Sequence, residues 1–575
     1  MNSELEQALR KVEGEHASLR EMYGDVSSEP CTLEVGQSKS GLYLSTQQID
    51  LLLLVNVTTP SDLINFVRNC VQIKHENFGD ITESNLEEKK KEVFDAYKKS
   101  FISFRELVPR AGFSEADSMN MRIKYNLERN LPKELVPSAL EALNKGGEKG
   151  LIKFIFESGL ANPQVVLNDI SRFISNDYEN IQSISYDEIL ELDKLIKRDP
   201  TIESIVGMGA TYNMSMHYLG NGERAFDPYY MDRVLLYAKM TQKHVRMHSL
   251  FDRSTAIEFK DRNYSRDKVL KELKGFVEGY LEYLQSHDEV LFDQTRLINC
   301  AEIFNELLGY KTEKYGAPDT SMVWEAMFGI KLEQLLDMVV GRIPEGVDVM
   351  YNETALEEGE HRLKACDGLI TRMGLRNPGF INVFGNQLHV YDSLFKDGEY
   401  TKMEASAAFL AKVANEYGIR VQITEHDLNI NPSLISNCNK FGVSKEYIML
   451  LKRHYQKKIS ETLREAGVPL ESVDYWSIFD RADHNYRRVI EDKIAHGKDT
   501  KDIDSLSAGL LPRLGSVEKI KSLNPQELER RLKRETVKVK KPEFNHESGY
   551  VSVTVALLVM IAILLVLIGI CLLVM

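Results

Sequence analysis

The chain has 575 residues, 43% of them hydrophobic and 27% charged. It is long enough for one barrel-sized core with additions, and too ordinary in composition to be disordered or fibrous. Its formal net charge of -14 argues against nucleic acid as a partner, because affinity for a duplex rests on clustered Lys and Arg that neutralise phosphates.

In chain order, the start MNSELEQALRKVEGEHASLREMY is charged and helix-forming, without the apolar stretch and small-residue cleavage site of a secretory signal. Residues 1–160 read as a mostly helical N-terminal region of unknown role. Leu51, Leu54 and Val55, then Ile64, Phe66 and Val67, are spaced for helices, with breaks at Thr59-Pro60 and Gly146-Gly147. From about 165 to 490 short β-rich runs alternate with amphipathic helical stretches, the pattern of parallel βα units. These runs end near Thr211, His248, Glu306, Asn352, His389, Glu425 and Trp476. No Gly-rich phosphate loop follows any of them, so a (β/α)8 barrel fits better than a nucleotide-binding sheet. Residues 491–550 form a polar and then basic linker.

Residues 551–575 are apolar or small throughout, Ser552 and Thr554 being the only hydroxyl-bearing residues. Roughly 20 such residues cross the ~30 Å hydrocarbon layer, so a single C-terminal transmembrane helix is expected, with a lipid bilayer as partner. The basic run from Lys519 to Lys541 precedes it and would face the cytoplasm by the positive-inside tendency, although large domains also translocate despite flanking charge. Six cysteines (Cys31, Cys70, Cys300, Cys366, Cys438 and Cys571) are scattered without CxxC pairs or Cys/His ligand spacing, so neither a structural zinc nor a disulfide framework is expected.

Side chains at the C-terminal ends of barrel strands converge on one face, which makes polar residues ending apolar strands the candidates for a site. Leu297 to Phe304 leads into Asn305-Glu306, and Ile419 to Thr424 leads into Glu425. Two carboxylates on non-neighbouring strands can face each other across a barrel mouth, the arrangement that glycosidic cleavage needs. At about 5 to 5.5 Å, one carboxyl protonates the leaving oxygen while the other attacks the anomeric carbon.

The strings GATYNMSM, VRMHSLF, LINCAEIFNE, VMYNET, GNQLH, VQITEHD and DYWSIFD, in this order, resemble the successive strand-end motifs of the family 10 glycoside hydrolases, the endo-1,4-β-xylanase family. The resemblance covers roughly residues 165–490. It implies a retaining barrel that needs no cofactor and acts on a β-linked polysaccharide such as xylan, with Glu306 as acid/base and Glu425 as nucleophile. It further implies that Asn305 bonds the sugar 2-hydroxyl and that Gln387 and His389 surround the nucleophile and the sugar. His248 and Asn213 match sugar-contacting positions, and Trp476 matches the aromatic platform under the sugar.

Departures qualify the substrate. The family's Glu-Asn and following Lys on the second strand read Tyr212-Asn213-Met214-Ser215-Met216 here. Its Trp four residues after the motif His is Asp252, its second C-terminal Trp is His484, and the Trp-Asp of the acid/base strand is Ala301-Glu302. These changes suit either another β-glycan or a barrel that binds carbohydrate with weak or no cleavage.

Overall fold

The computed structural model describes, in the main, residues 3–24, 38–69, 78–100, 134–160, 184–218, 224–310, 312–396, 398–429 and 445–476, with a few residues between them. Eight parallel strands close into a barrel: β1 (Lys39–Leu44), β2 (Ile202–Gly207), β3 (His244–Asp252), β4 (Ile298–Asn305), β5 (Asp348–Glu353), β6 (Val383–Asn386), β7 (Arg420–Asn429) and β8 (Leu470–Tyr475). Each pairs with the next in parallel, with register shifts in several of the pairs, and β8 pairs with both β7 and β1, which completes the ring. Helices such as Tyr229–Thr241, Arg266–Ser286, Glu360–Arg376, Thr401–Tyr417 and Lys445–Glu465 carry the chain between successive strands. This is the (β/α)8 architecture expected from the alternating pattern.

The first strand corrects the sequence reading. Seven strands were expected between 165 and 490, but the eighth, β1, comes from the region taken as a helical addition, so position 160 is no boundary of the barrel. The helices after β1 behave the same way. Ile49, Leu51, Leu52 and Leu54 of Thr46–Val55, with Phe94 and Tyr97 of Leu86–Ser100, belong to the same apolar core as Ile205, Val245, Ile303 and Val421 of the strands. Burying that contiguous surface is the main favourable term holding the ring and its helices together. The sequence breaks are real: Pro60 opens Pro60–Asn69, and Gly147 takes φ 59° inside Val136–Glu157. A smaller cluster, including Leu127, Leu131, Ala139, Leu151 and Ile155, forms a satellite core.

The barrel interior is polar where it meets the site, and it is packed by ion pairs. Arg246 on β3 spans it, bonding the Thr424 carbonyl at 2.9 Å, Asp474 on β8 at 3.2 Å and standing 3.6 Å from Glu302 on β4. Gly41 makes room for this layer, since a Cβ there would lie 2.2 Å from Asp474 Oδ1 and 2.4 Å from Ser204 Oγ. Removing one member of a buried pair of this sort costs about 3–5 kcal/mol, because the partner's charge is left uncompensated.

Residues 477–575 lie outside the described residues, and with them the linker, the expected membrane span and His484. Among the described residues no helix is long and apolar enough to cross a membrane.

Candidate active site

The strand ends β3 to β8 converge at the mouth of the barrel. Glu425, on β7, is 2% exposed. Asn352, at the end of β5, donates from Nδ2 to Glu425 Oε1 at 3.0 Å, and His389 Nε2 lies 3.3 Å from Oε2. Thr424 in turn donates to Asn352 Oδ1 at 2.6 Å, fixing which end of the amide faces the carboxylate. Gly385 permits this, because a Cβ there would come within 2.5 Å of that same Oδ1. Burial pushes the Glu425 carboxyl above its usual range, and the neighbouring His389 and His248 pull part of the way back.

His389 is oriented by a second carboxylate. Its Nδ1 sits 2.8 Å from Asp427 Oδ1, two residues beyond Glu425 and therefore on the same face of β7. Burial favours the neutral imidazole, but Asp427 and Glu425 outweigh it and hold the His389 pKa well above its ordinary value. Leu388, with φ 54°, turns the chain so that Gln387 and His389 both reach the site; His426 Nδ1 lies 3.0 Å from its carbonyl.

On the other side stands Glu306, immediately after β4. Its backbone adopts φ 51°, unusual for a residue with a Cβ, and is held there by Glu306 N–H donating to the Asn352 carbonyl at 2.9 Å and by Leu308 N–H donating to Glu353 Oε2 at 3.1 Å. Gln387 donates to Glu306 Oε1 at 2.7 Å, and Arg253 forms an ion pair with Oε2. Gln387 Nε2 also lies 3.3 Å from Asn305 Oδ1, which accepts from Asn352 at 3.1 Å. Glu306 and Glu425 therefore belong to one connected set, joined through Gln387, Asn305 and Asn352.

A third carboxylate lies deeper. Glu302 is fully buried and accepts from His248 Nδ1 at 2.9 Å and from Asn352 at 3.1 Å. The β3–β4 register places His248 directly opposite Glu302. Burial opposes charge on His248, yet Glu302, Glu425 and Asp252 raise its pKa to about 9. Asp252 accepts from Asn305 Nδ2 at 2.6 Å and caps the helix Arg253–Asp261 through Ser254 N–H at 2.6 Å. Its pKa is lowered: burial opposes its charge, and His248 with these donors more than offsets that.

Ligand atoms of His248, Glu302 and Glu425 lie within 4.8 Å of one another, a spacing that could hold a metal ion. These atoms are already bonded among themselves and through Asn352, and the His248 and Arg246 cations supply positive charge beside them.

Trp476 follows β8, its ring edge-on to His389 at 5.5 Å and tilted against Tyr43 at 4.3 Å. The other tryptophan, Trp324, is fully buried against Phe251, Phe259 and Phe328 and belongs to the core. Asn213 sits on the short helix Tyr212–Ser215 after β2, partly buried. Its neighbour Tyr212 turns away into Phe259, Phe276 and Glu272. Of the residues singled out from sequence, Glu306, Glu425, Asn305, Gln387, His389 and His248 are linked by the contacts above, with Trp476 packed on His389. Asn352, Glu302, Asp427, Asp252, Arg253 and Tyr43 join them without having been assigned a place.

No protein-family model matches the chain, and no curated protein does. Among solved structures it is similar to an intracellular xylanase of Thermoanaerobacterium saccharolyticum bound to xylotetraose, at 18% identity over 48% of this chain and 78% of that one, with a TM-score of 0.33. It is also similar to xylanase 10B of Thermotoga petrophila bound to xylobiose (13%, 52% and 80%, 0.35). A third is the N-terminal endo-1,4-β-D-xylanase 10B of Clostridium thermocellum bound to xylohexaose (14%, 58% and 63%, 0.39).

Proposed function

We propose that the chain is a retaining β-glycan hydrolase, closest in chemistry to an endo-1,4-β-xylanase, with Glu425 as nucleophile and Glu306 as acid/base. The observation that carries this reading is the buried Glu425 carboxylate held on both oxygens, by Asn352 and by the Asp427-backed His389, and tied through Asn305 and Gln387 to a second glutamate.

In the first half-reaction a Glu425 oxygen bonds to the anomeric carbon while the glycosidic oxygen leaves with a proton from Glu306. In the second, Glu306 takes a proton from water, whose oxygen displaces Glu425 and restores the starting configuration. His389 and Asn352 fix the nucleophile's orientation and share its charge before and after the ester exists. Asn305, anchored by Asp252 and bonded to Asn352 and Gln387 between the two glutamates, suits a hydroxyl next to the reacting carbon. Trp476 offers an apolar face to a sugar ring.

A second reading, a carbohydrate-binding barrel with weak or no cleavage, is favoured by one contact, the Arg253–Glu306 ion pair. A carboxyl that must hand over a proton has first to leave that guanidinium. The apolar run 551–575 would tether either form to a bilayer.

Hydrolysis of an aryl β-xylobioside by the full chain in detergent, with the product anomer followed by proton NMR, tests the reading. Turnover giving the β-anomer first, lost in Glu425→Ala, is expected. No turnover across a panel of β-linked oligosaccharides, or turnover untouched by Glu425→Ala, removes it, and binding without product selects the second reading.

A further inference from the structure

Tyr43, near the end of β1, is 4% exposed, and its hydroxyl is buried with no hydrogen-bond partner among the described residues. Other buried tyrosines of this barrel are satisfied: Tyr97 donates to Asp50, Tyr212 to Glu272, Tyr237 to Asp193 and Tyr351 to Glu353. An orphaned buried hydroxyl is unfavourable and uncommon, and at a barrel mouth it marks a place where another partner is expected.

The ring's position points to that partner. Leu42 pairs with Tyr475 across β1 and β8, so Tyr43 and Trp476 emerge side by side from neighbouring strands. Tyr43 is 4.3 Å from Trp476 and meets His248 edge-on at 5.4 Å. Burial first, then the charges of Glu425 and Glu302, hold the phenol's pKa well above its ordinary value, so it stays a neutral group that both donates and accepts. A sugar hydroxyl has the same capacity, whereas a carboxylate or ammonium ligand would use only half of it.

We propose that the Tyr43 hydroxyl hydrogen-bonds a hydroxyl of the sugar residue attacked by Glu425, so that β1 forms part of the subsite and Tyr43 determines which glycones are accepted. This rests on the glycan reading above, and the residue acts by direct contact with substrate.

The test is calorimetric binding of xylobiose, its mono-deoxygenated forms, cellobiose, mannobiose and chitobiose to the full chain and to Tyr43→Phe, with thermal melting of both. Tyr43→Phe keeps the ring and removes only the hydroxyl. Binding of the preferred disaccharide is expected to weaken roughly tenfold. One mono-deoxygenated form should bind both proteins equally, and the melting temperature should not fall. Equal binding of the intact disaccharide, or a lowered melting temperature that betrays a protein partner for the hydroxyl, overturns this inference alone. Failure of the wild-type chain to bind any sugar overturns the glycan reading and the inference together.

Discussion

The His248–Glu302 pair gives a prediction whose size follows from the structure. The imidazole is buried against Glu302 at 2.9 Å, and its pKa is raised to about 9 in the folded chain, against about 6.5 when unfolded. Because the folded pKa is the higher one, the stabilisation is complete below about pH 6.5 and disappears as pH rises through about 9. At about 1.36 kcal/mol for each pH unit between the two values, the pair contributes about 3 kcal/mol at pH 6 that is gone by pH 10. The perturbation is His248→Gln, which keeps an amide donor for Glu302 but cannot titrate. Urea unfolding of the full chain and the variant, at pH 6 and at pH 10, reads the term, since groups that do not neighbour His248 titrate alike in both proteins. The stability gap between them should shrink by about 3 kcal/mol on going to pH 10. A gap that stays constant would refute the assignment of a protonated, paired imidazole.

Three further outcomes are expected. Burial raises the Glu425 pKa, and Glu425 in the proposed role of nucleophile must be ionised, so kcat/KM should fall as pH drops through that raised value; an acid limb at or below about pH 4.5 on an aryl β-xylobioside contradicts this. Arg253→Met frees Glu306 from its ion pair, so hydrolysis of xylo-oligosaccharides, whose leaving group needs a proton, should rise several-fold, whereas that of a dinitrophenyl β-xylobioside should not. Equal effects on both substrates would count against Glu306 as the proton donor. Asp252→Ala removes a helix cap and strands Asn305 Nδ2, which should cost about 1–3 kcal/mol in urea unfolding and raise KM.

Much of the site was legible because barrel chemistry collects at strand ends, and a strand end can be seen in sequence as an apolar run stopped by a polar residue. Asn305-Glu306 and Thr424-Glu425 have that form, and the structure joins them. What escaped had signals of another kind. Asp427 lies two residues past Glu425 on the same strand face, so the alternation of strand side chains was enough to aim it at His389. Glu302 needed the register between β3 and β4, which sets it opposite His248 and which neither segment states alone. Asn352 was visible as a strand end but not as the donor shared by Glu302, Asn305 and Glu425, because that role exists only once three other strands have delivered their acceptors.

β1 was the harder case, and the reason is physical. Its six residues, Lys39 to Leu44, include a glycine and two residues that are not fully buried, and they run through Ser45 straight into the apolar helix Thr46–Val55. Read alone, that stretch looks like the approach to a helix, since Ser45 and Gln48 make a capping box. Gly41 weakens an isolated strand, yet here its missing side chain is what lets Asp474 and Ser204 occupy the barrel interior. The strand is thus specified by its neighbours β2 and β8 more than by its own residues. A substitution as small as Gly41→Ala should therefore disturb ring closure and Tyr43 together, because the inserted methyl group would meet Asp474 and Ser204 in the barrel interior.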